Sequence, residues 1–172
     1  MPRVGVLIAV ADDAEGQARL GAFKSGMRDL GRIDGESVRM EVRFAAGSVA
    51  RANEYATELV GLAPDVLVAN SAPAVAALQQ RTRTIPIVFA QLVDPVGAGF
   101  VESLARPGGN ITGFVSLDYS FGAKWLQLLK EIAPRVSRVG VLRDPTTSGA
   151  AGQLARVPSK QLTSNSLPTT NR

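Results

Sequence analysis

Residues 65–89 read Asp-Val-Leu-Val-Ala-Asn-Ser-Ala-Pro-Ala-Val-Ala-Ala-Leu-Gln-Gln-Arg-Thr-Arg-Thr-Ile-Pro-Ile-Val-Phe. The segment begins and ends with a short apolar strand, 65–69 and 85–89, and an alanine-rich helix over 74–82 joins them. Continuous apolar strands that alternate with helices are typical of a parallel sheet covered on both faces. The unit therefore predicts an α/β fold built on a doubly wound parallel sheet.

The same alternation continues on both sides of this unit. Further strands are predicted at 4–9, 38–44, 111–115 and 138–142, and further helices at about 12–30, 49–62, 95–104 and 120–132. In the second strand, apolar residues alternate with Arg39, Glu41 and Arg43, which predicts a strand at the edge of the sheet. The first helix is expected to start at Asp12 or Asp13, with Leu20 and Leu30 on its apolar face. In the last helix, Trp125 lies on an apolar stripe and is interpreted as a core residue.

Composition removes several classes of function. The 172 residues contain no cysteine and no histidine, which excludes thiol nucleophiles, disulfides, imidazole bases and most transition-metal sites. The net charge is +4, but the basic residues are scattered, so we expect no nucleic-acid partner. No apolar stretch is long enough to cross a membrane, and no cofactor is predicted.

Glycine-rich turns do not form a nucleotide site. Gly97-Ala-Gly99 and Gly108-Gly109 lack the G-x-G-x-x-G and Walker A patterns, and the first strand is not followed by glycines. A dinucleotide enzyme is therefore disfavoured. Asp94 and Asp118 could form a carboxylate pair, but no nucleophile accompanies them, so we predict a protein that is not an enzyme.

Polar residues follow the strands, where an open parallel sheet binds its ligands. Asn70-Ser71-Ala72 opens a helix, whose free N–H groups and serine hydroxyl can hold a carboxylate, although Ser71 could equally be a plain N-cap. Asp94, near Gln91, could accept an ammonium group or cap the next helix. Asp118 occupies the equivalent place after the fifth strand, beside Tyr119.

Several motifs occur in the order and spacing of a known family. The runs 85–99 and 103–113, together with 69–77 and 124–134, closely resemble ABC-transporter substrate-binding proteins of the tryptophan- and aromatic-amino-acid-binding-like subfamily. The resemblance covers residues from about 4 to about 154. It implies a type I periplasmic-binding fold, in which two Rossmann-like lobes close on a small solute that is then passed to a membrane permease.

The resemblance also implies the ligand-binding positions. Carried over, they are the loops at the ends of the first-lobe strands: Ala9, Val10, Asn70, Ser71, Ala72, Gln91, Asp94 and Asp118. It implies a periplasmic location. The sequence as written shows no signal peptide, and on that ground alone a cytoplasmic location is expected.

The expected domain organisation is a first lobe at 1–118, a hinge helix and the start of an incomplete second lobe at 119–155, and a disordered tail at 156–172. A truncated second lobe would leave a ligand exposed, so weak binding or no binding is predicted. The alternative function is a ligand-sensing domain of a regulator, since the same fold serves in that role.

Overall fold

The computed structural model describes residues 1–117 and 120–139 of a chain that divides into two units, residues 1–117 and 118–172. The first unit contains five strands: β1 (Arg3–Ile8), β2 (Arg39–Phe44), β3 (Val66–Asn70), β4 (Ile87–Val93) and β5 (Ile111–Leu117). It also contains three helices: α1 (Ala14–Asp29), α2 (Val49–Gly61) and α3 (Ala72–Gln79). In the second unit, the described residues include helix α4 (Ser120–Ile132).

The five strands form one parallel sheet in the order β2-β1-β3-β4-β5. This order confirms the predicted doubly wound α/β fold and places β2 at an edge, as its alternating pattern indicates. Because all the strands run in the same direction, the loops that follow them lie along one edge of the sheet. We call this edge, with the loops that follow β1, β3 and β4, the carboxyl edge.

The core lies on both faces of the sheet. On one face, α2 and α3 contribute Ala56, Leu59, Val75 and Leu78 to a cluster of buried residues around Leu67. On the other face, Leu20 of α1 packs in a second cluster, whose strand residues are Val4, Val6 and Ile8. The small side chains of α3 suit close packing of this helix against the sheet and against the neighbouring α2, as the alanine-rich sequence predicts.

Helix α1 begins and ends with local caps. The carboxylate of Asp13 accepts a hydrogen bond from Gly16 N at 3.0 Å, which confirms the predicted N-cap. Leu30 is 77% exposed, so its prediction on the buried face is wrong. The helix ends at Asp29 and Leu30 is its C-cap, and the chain turns away at Gly31, which has a φ of 73°.

The helix expected over 95–104 does not form. Residues 95–99 are a series of turns closed by hydrogen bonds from Ala98 N to Asp94 O at 3.0 Å and from Phe100 N to Pro95 O at 2.9 Å. Gly99 adopts a φ of 74°, which lies outside the helical region and prevents the turn from continuing. A buried Val101 then anchors the following loop to the core.

Trp125 of α4 is 54% exposed, and its interpretation as a core residue is therefore wrong. Leu128 and Ile132 on the same helix are also exposed, because no described element of the second unit covers this stripe. Residues 138–139 of the sixth predicted strand have no regular structure, and its residues 140–142 lie outside the described part. Asp118, Tyr119 and the predicted tail at 156–172 lie outside it as well.

Substitution of Gly113 on β5 tests how closely this strand packs against β4. A Cβ atom at this position would lie 2.1 Å from Phe89 O of β4, and its φ is 157°. We expect Gly113→Ala to lower the free energy of unfolding by at least about 2 kcal/mol, because backbone must move to admit the methyl group. Gly109→Ala is the matched control, since a Cβ there meets nothing within 4 Å, and should change stability by less than about 0.5 kcal/mol. Urea unfolding followed by circular dichroism measures both, and equal losses would contradict the packing argument.

Asp34 supplies a test of pH dependence. The hydrogen bond from Lys24 Nζ to Asp34 Oδ2, at 2.9 Å, lowers the pKa of this carboxyl below its usual 3.8, with a further contribution from Met40 N and partial opposition from desolvation. A lowered folded-state pKa stabilises the fold above the unfolded value, and this contribution is lost as the pH falls through the folded value. Asp34→Asn keeps an acceptor for Met40 N and removes the charge.

We therefore expect the free energy of unfolding of the wild type to exceed that of Asp34→Asn by up to about 1 kcal/mol at pH 7. This difference should disappear below the folded-state pKa of Asp34. Urea unfolding at a series of pH values measures it. A difference that grows as the pH falls would have the wrong sign for this ion pair.

Candidate functional site

The strand order reverses between β1 and β3, since the chain passes from β1 outward to β2 and then back to β3 on the other side. The two loops that leave β1 and β3 consequently diverge to opposite faces and open a crevice at the carboxyl edge. The predicted positions Ala9, Val10, Asn70, Ser71 and Ala72 belong to these two loops. The register of the sheet thus brings together residues about 60 positions apart in sequence.

Asn70 joins the two sides of this crevice. Its Oδ1 accepts a hydrogen bond of 2.7 Å from Ala9 N, and the side chain is partly buried. Because the amide oxygen faces Ala9, the NH₂ group at the other end of the same planar amide remains a donor. Asn70 therefore both fixes the loop after β1 and presents hydrogen-bond donors at the switch point.

The carbonyl groups after β1 are already used within the protein. Ala9 O accepts from Gly47 N at 2.6 Å, and Val10 O accepts from Ala46 N at 3.1 Å. Ala46 and Gly47 both have positive φ, which lets the loop after β2 fold back against the loop after β1. Ala9 and Val10 thus form part of the crevice with their backbone, and their carbonyl oxygens bind this loop to the loop after β2.

Ser71 has the most unusual backbone at the carboxyl edge. Its φ of 71° and ψ of 156° fall in a region occupied almost only by glycine, which costs roughly 1–3 kcal/mol. Its hydroxyl is buried and has no hydrogen-bond partner within the described residues. The side chain makes no cap hydrogen bond, so the prediction of a side-chain N-cap is wrong. The backbone conformation and Pro73, which has no N–H, account for the lost cap.

Helix α3 begins directly after Ser71, and its first turn contains Ala72, Pro73 and Ala74. The first N–H groups of a helix lack partners within the helix and carry a partial positive charge. A cap side chain usually satisfies one of them, but Ser71 does not. The amino end of α3 is therefore available to an anionic group at the crevice.

Gln91 lies within β4 and not after it, because the strand extends to Val93. Phe89 and Leu92 of β4 are three residues apart, but their partners on β5, Gly113 and Val115, are two residues apart. The extra residue on β4 makes a β-bulge at Ala90 and Gln91. Gln91 has a φ of 56° and an exposed side chain. Asn70, the last residue of β3, pairs with Ala90, and Ser71 and Gln91 directly follow the two members of this pair.

Asp94 also has a positive φ, 47°, and one of its two carboxylate oxygens makes a local hydrogen bond. Its Oδ1 accepts from Gly97 N at 2.8 Å and closes the turn that replaces the expected helix. A Cβ at Gly97 would approach Asp94 Oδ2 to 2.1 Å, so a larger residue there would displace this carboxylate. The capping interpretation is therefore right about the carboxylate contact and wrong about the helix.

Sequence reasoning missed two charged residues beside the predicted positions. Arg19 of α1 donates from Nη1 to Gln91 Oε1 at 2.7 Å, and its other terminal nitrogen pairs with Glu15. The four-residue spacing of Glu15 and Arg19 is a visible helix signal. Nothing in the sequence links Arg19 to Gln91, which is 72 positions away.

Within the described residues, no group of three or more potential metal-ligating side chains occurs. None of the helices in this part of the chain is both long and apolar enough to span a bilayer.

The strand order defines an open, doubly wound α/β domain with its switch point between β1 and β3, and comparison with known proteins identifies its family. Residues 3–166 match the model of the ABC transporter substrate binding protein family. The chain therefore belongs to this family, as its motifs predict.

Individual relatives agree with this assignment. The chain is 31% identical over 139 residues to a "Tyrosine-binding protein" of Clostridioides difficile (strain R20291), covering 81% of this chain and 39% of the relative. It resembles a solved conserved domain protein of Vibrio cholerae at 36% identity and a TM-score of 0.73, covering 90% of this chain and 51% of the other. The ABC domain of Streptococcus pneumoniae in complex with L-Trp gives 25% identity, a TM-score of 0.73 and the same coverage.

A ligand-free, open substrate-binding protein of Clostridium difficile with adhesive properties is 28% identical, with a TM-score of 0.70. The match covers 90% of this chain and 52% of that protein. The chain thus spans about half the length of these solved proteins and 39% of the tyrosine-binding relative.

The backbone of Ser71 yields a direct test. We expect Ser71→Gly to raise the free energy of unfolding by roughly 1 kcal/mol, since relief of the strained conformation exceeds the entropic cost of glycine. Ser71→Ala should be nearly neutral because the hydroxyl makes no hydrogen bond.

Ser48→Ala is the matched control, because the Ser48 hydroxyl does cap α2 by accepting from Arg51 N; it should cost about 1 kcal/mol. Chemical unfolding of the three variants measures these changes. A loss of stability in Ser71→Gly would show that the backbone at this position is not strained.

Proposed function

We propose that this chain is the first lobe of the solute-binding component of an ABC import system, and that it binds an amino-acid-like solute at the carboxyl edge. The observation that carries the proposal is the concentration of strained residues there. Ser71 directly follows β3, Gln91 lies in the bulge of β4 and Asp94 directly follows β4, and all three have positive φ. Strain of this kind persists where the surrounding structure holds it, and it clusters at ligand sites.

The donors at this edge suit a carboxylate. The NH₂ group of Asn70, the first N–H groups of α3 and the unpartnered hydroxyl of Ser71 all lie around the switch point. A carboxylate accepts several hydrogen bonds at once, and such charge-assisted bonds are roughly twice as strong as neutral ones. The ligand's carboxylate is therefore assigned to Asn70, Ser71 and Ala72.

The acids near the same edge suit an ammonium group. Asp94 uses Oδ1 for Gly97 N, which leaves Oδ2 as an acceptor. Asp118 is proposed for the same role from its position in the sequence. Ala9 and Val10 complete the wall of the crevice through their backbone. Because the named relatives bind tyrosine or are in complex with L-Trp, an aromatic amino acid is the proposed solute.

The wider role follows from the family. We assign the chain to the extracytoplasmic side of a membrane, with an ABC permease as partner and with no catalytic activity of its own. A regulatory sensor has no specific observation in its favour. Since the chain spans about half of its solved relatives, one lobe makes only part of the contacts of a closed pair, and its affinity should be low.

Calorimetric titration of the chain with L-tyrosine and L-tryptophan tests the proposed function. We expect saturable binding with a dissociation constant of about a millimolar, and no binding of tyramine or tryptamine, which lack the carboxylate. Absence of heat with every amino acid, or equal binding of the decarboxylated amines, would contradict the proposal.

Asn70→Asp gives a sharper test of carboxylate recognition. The new carboxylate can still accept from Ala9 N, so the loop after β1 is kept, while the two NH₂ donors are lost and a negative charge is added. We expect affinity for L-tyrosine to fall at least about tenfold with little change in stability. Asn53→Asp, at a half-buried position on α2, adds the same charge away from the crevice and loses a local amide donor as Asn70→Asp does; it should leave affinity unchanged.

A further inference from the structure

Arg19 makes a contact that connects α1 to the bulge in β4. Its Nη1 donates to Gln91 Oε1 at 2.7 Å, and its Nη2 forms an ion pair with Glu15 one turn earlier on the helix. The Arg19 side chain is 35% exposed, so much of it lies against the protein. Glu15 therefore directs the guanidinium toward Gln91 from its own helix.

The chemistry of this contact determines the polarity of the Gln91 amide. A guanidinium only donates hydrogen bonds, so the oxygen of the amide must face Arg19. Oxygen and nitrogen lie on opposite arms of a planar amide, and the NH₂ group is consequently directed away from Arg19 with two donors. Within residues 1–117, the contact with Arg19 is the hydrogen bond that the Gln91 side chain makes.

The backbone of Gln91 adds an independent reason to place this residue at the site. Its φ is 56°, and it lies in the irregularity between Phe89 and Leu92. A bulge changes the direction of the side chains it contains and is common beside binding sites. Gln91 also directly follows Ala90, which pairs with Asn70 at the end of the β3–β4 register, and Ser71 directly follows Asn70.

We propose that Arg19 is a positioning residue, which holds the Gln91 amide so that its NH₂ group donates to the carboxylate of the bound solute. This proposal rests on the proposed function. Asn70 has the same arrangement, because its amide oxygen is held by Ala9 N and its NH₂ group remains a donor. Two side-chain amides on adjacent strands thus have their acceptors used by the protein and their donors left for an anion.

The first experiment needs no ligand. The side-chain NH₂ signals of Gln91 are identified by their loss from the ¹⁵N spectrum of Gln91→Glu, and the heteronuclear NOE reports how ordered this amide is. We expect an ordered amide in wild type and a mobile one in Arg19→Met. Arg28→Met, on the same helix and exposed, is the matched control and should leave the amide ordered. An amide that is equally mobile in wild type and Arg19→Met would overturn the positioning role.

The second experiment uses L-tyrosine as the probe. Gln91→Glu keeps an acceptor for Arg19 but replaces the donors with a negative charge, so we expect at least about a tenfold loss of affinity in a stably folded chain. Arg19→Met should lose less, about threefold to tenfold, because the donors remain but are no longer held. Gln80→Glu, an exposed position at the opposite end of α3, adds the same charge and should bind as wild type.

The outcomes separate the possible roles. A larger loss in Arg19→Met than in Gln91→Glu would show that Arg19 contacts the solute directly, which overturns a role through Gln91. Wild-type affinity in Gln91→Glu would overturn the donor role. If wild type binds no L-tyrosine, the proposed function and the donor role both fail, while the NOE comparison still decides whether Arg19 orders Gln91.

Discussion

The hydrogen bond from Ala9 N to Asn70 Oδ1 is the contact on which the carboxyl edge depends. It links the ends of two parallel strands at the place where their loops part to opposite faces of the sheet. The loop after β1 is also joined to the loop after β2, through hydrogen bonds to Ala9 O and Val10 O. One side-chain amide thus ties the two loops together and sets the direction of its own donors.

The buried strands that lead to the carboxyl edge hold its strained residues in place. Leu67 and Ile87 are fully buried in the strands that lead to Ser71 and Gln91, and Phe89 is nearly so. A packed sheet of this kind resists local relaxation, because a shift of one strand would disturb both of its neighbours. The positive φ angles of Ser71 and Gln91 are therefore held by the core, at a cost that burial of the apolar strands offsets.

The differences between expectation and structure at the ends of β3 and β4 share one origin, which is the backbone conformation that strand pairing and packing impose there. Asp94 and Gln91 are spaced in the sequence as if a helix followed a short strand, yet β4 continues through Gln91 and a glycine-rich turn replaces the helix. Pairing with β5 extends β4, and the positive φ of Gly99 ends the turn. Ser71 likewise has the sequence position of an N-cap, but its backbone takes a conformation that only the surrounding packing can impose.

The sequence by itself determined the α/β class, the edge position of β2, the family and the two loops that follow β1 and β3. These features follow from apolar periodicity, turn residues and ordered motifs, all of which are local. Only the tertiary structure decided that Arg19 meets Gln91, that Asn70 holds Ala9, and that Ser71 has no cap hydrogen bond. Those contacts join residues about 60 or 70 positions apart or depend on imposed backbone strain, and both arise only when strands pair in one register.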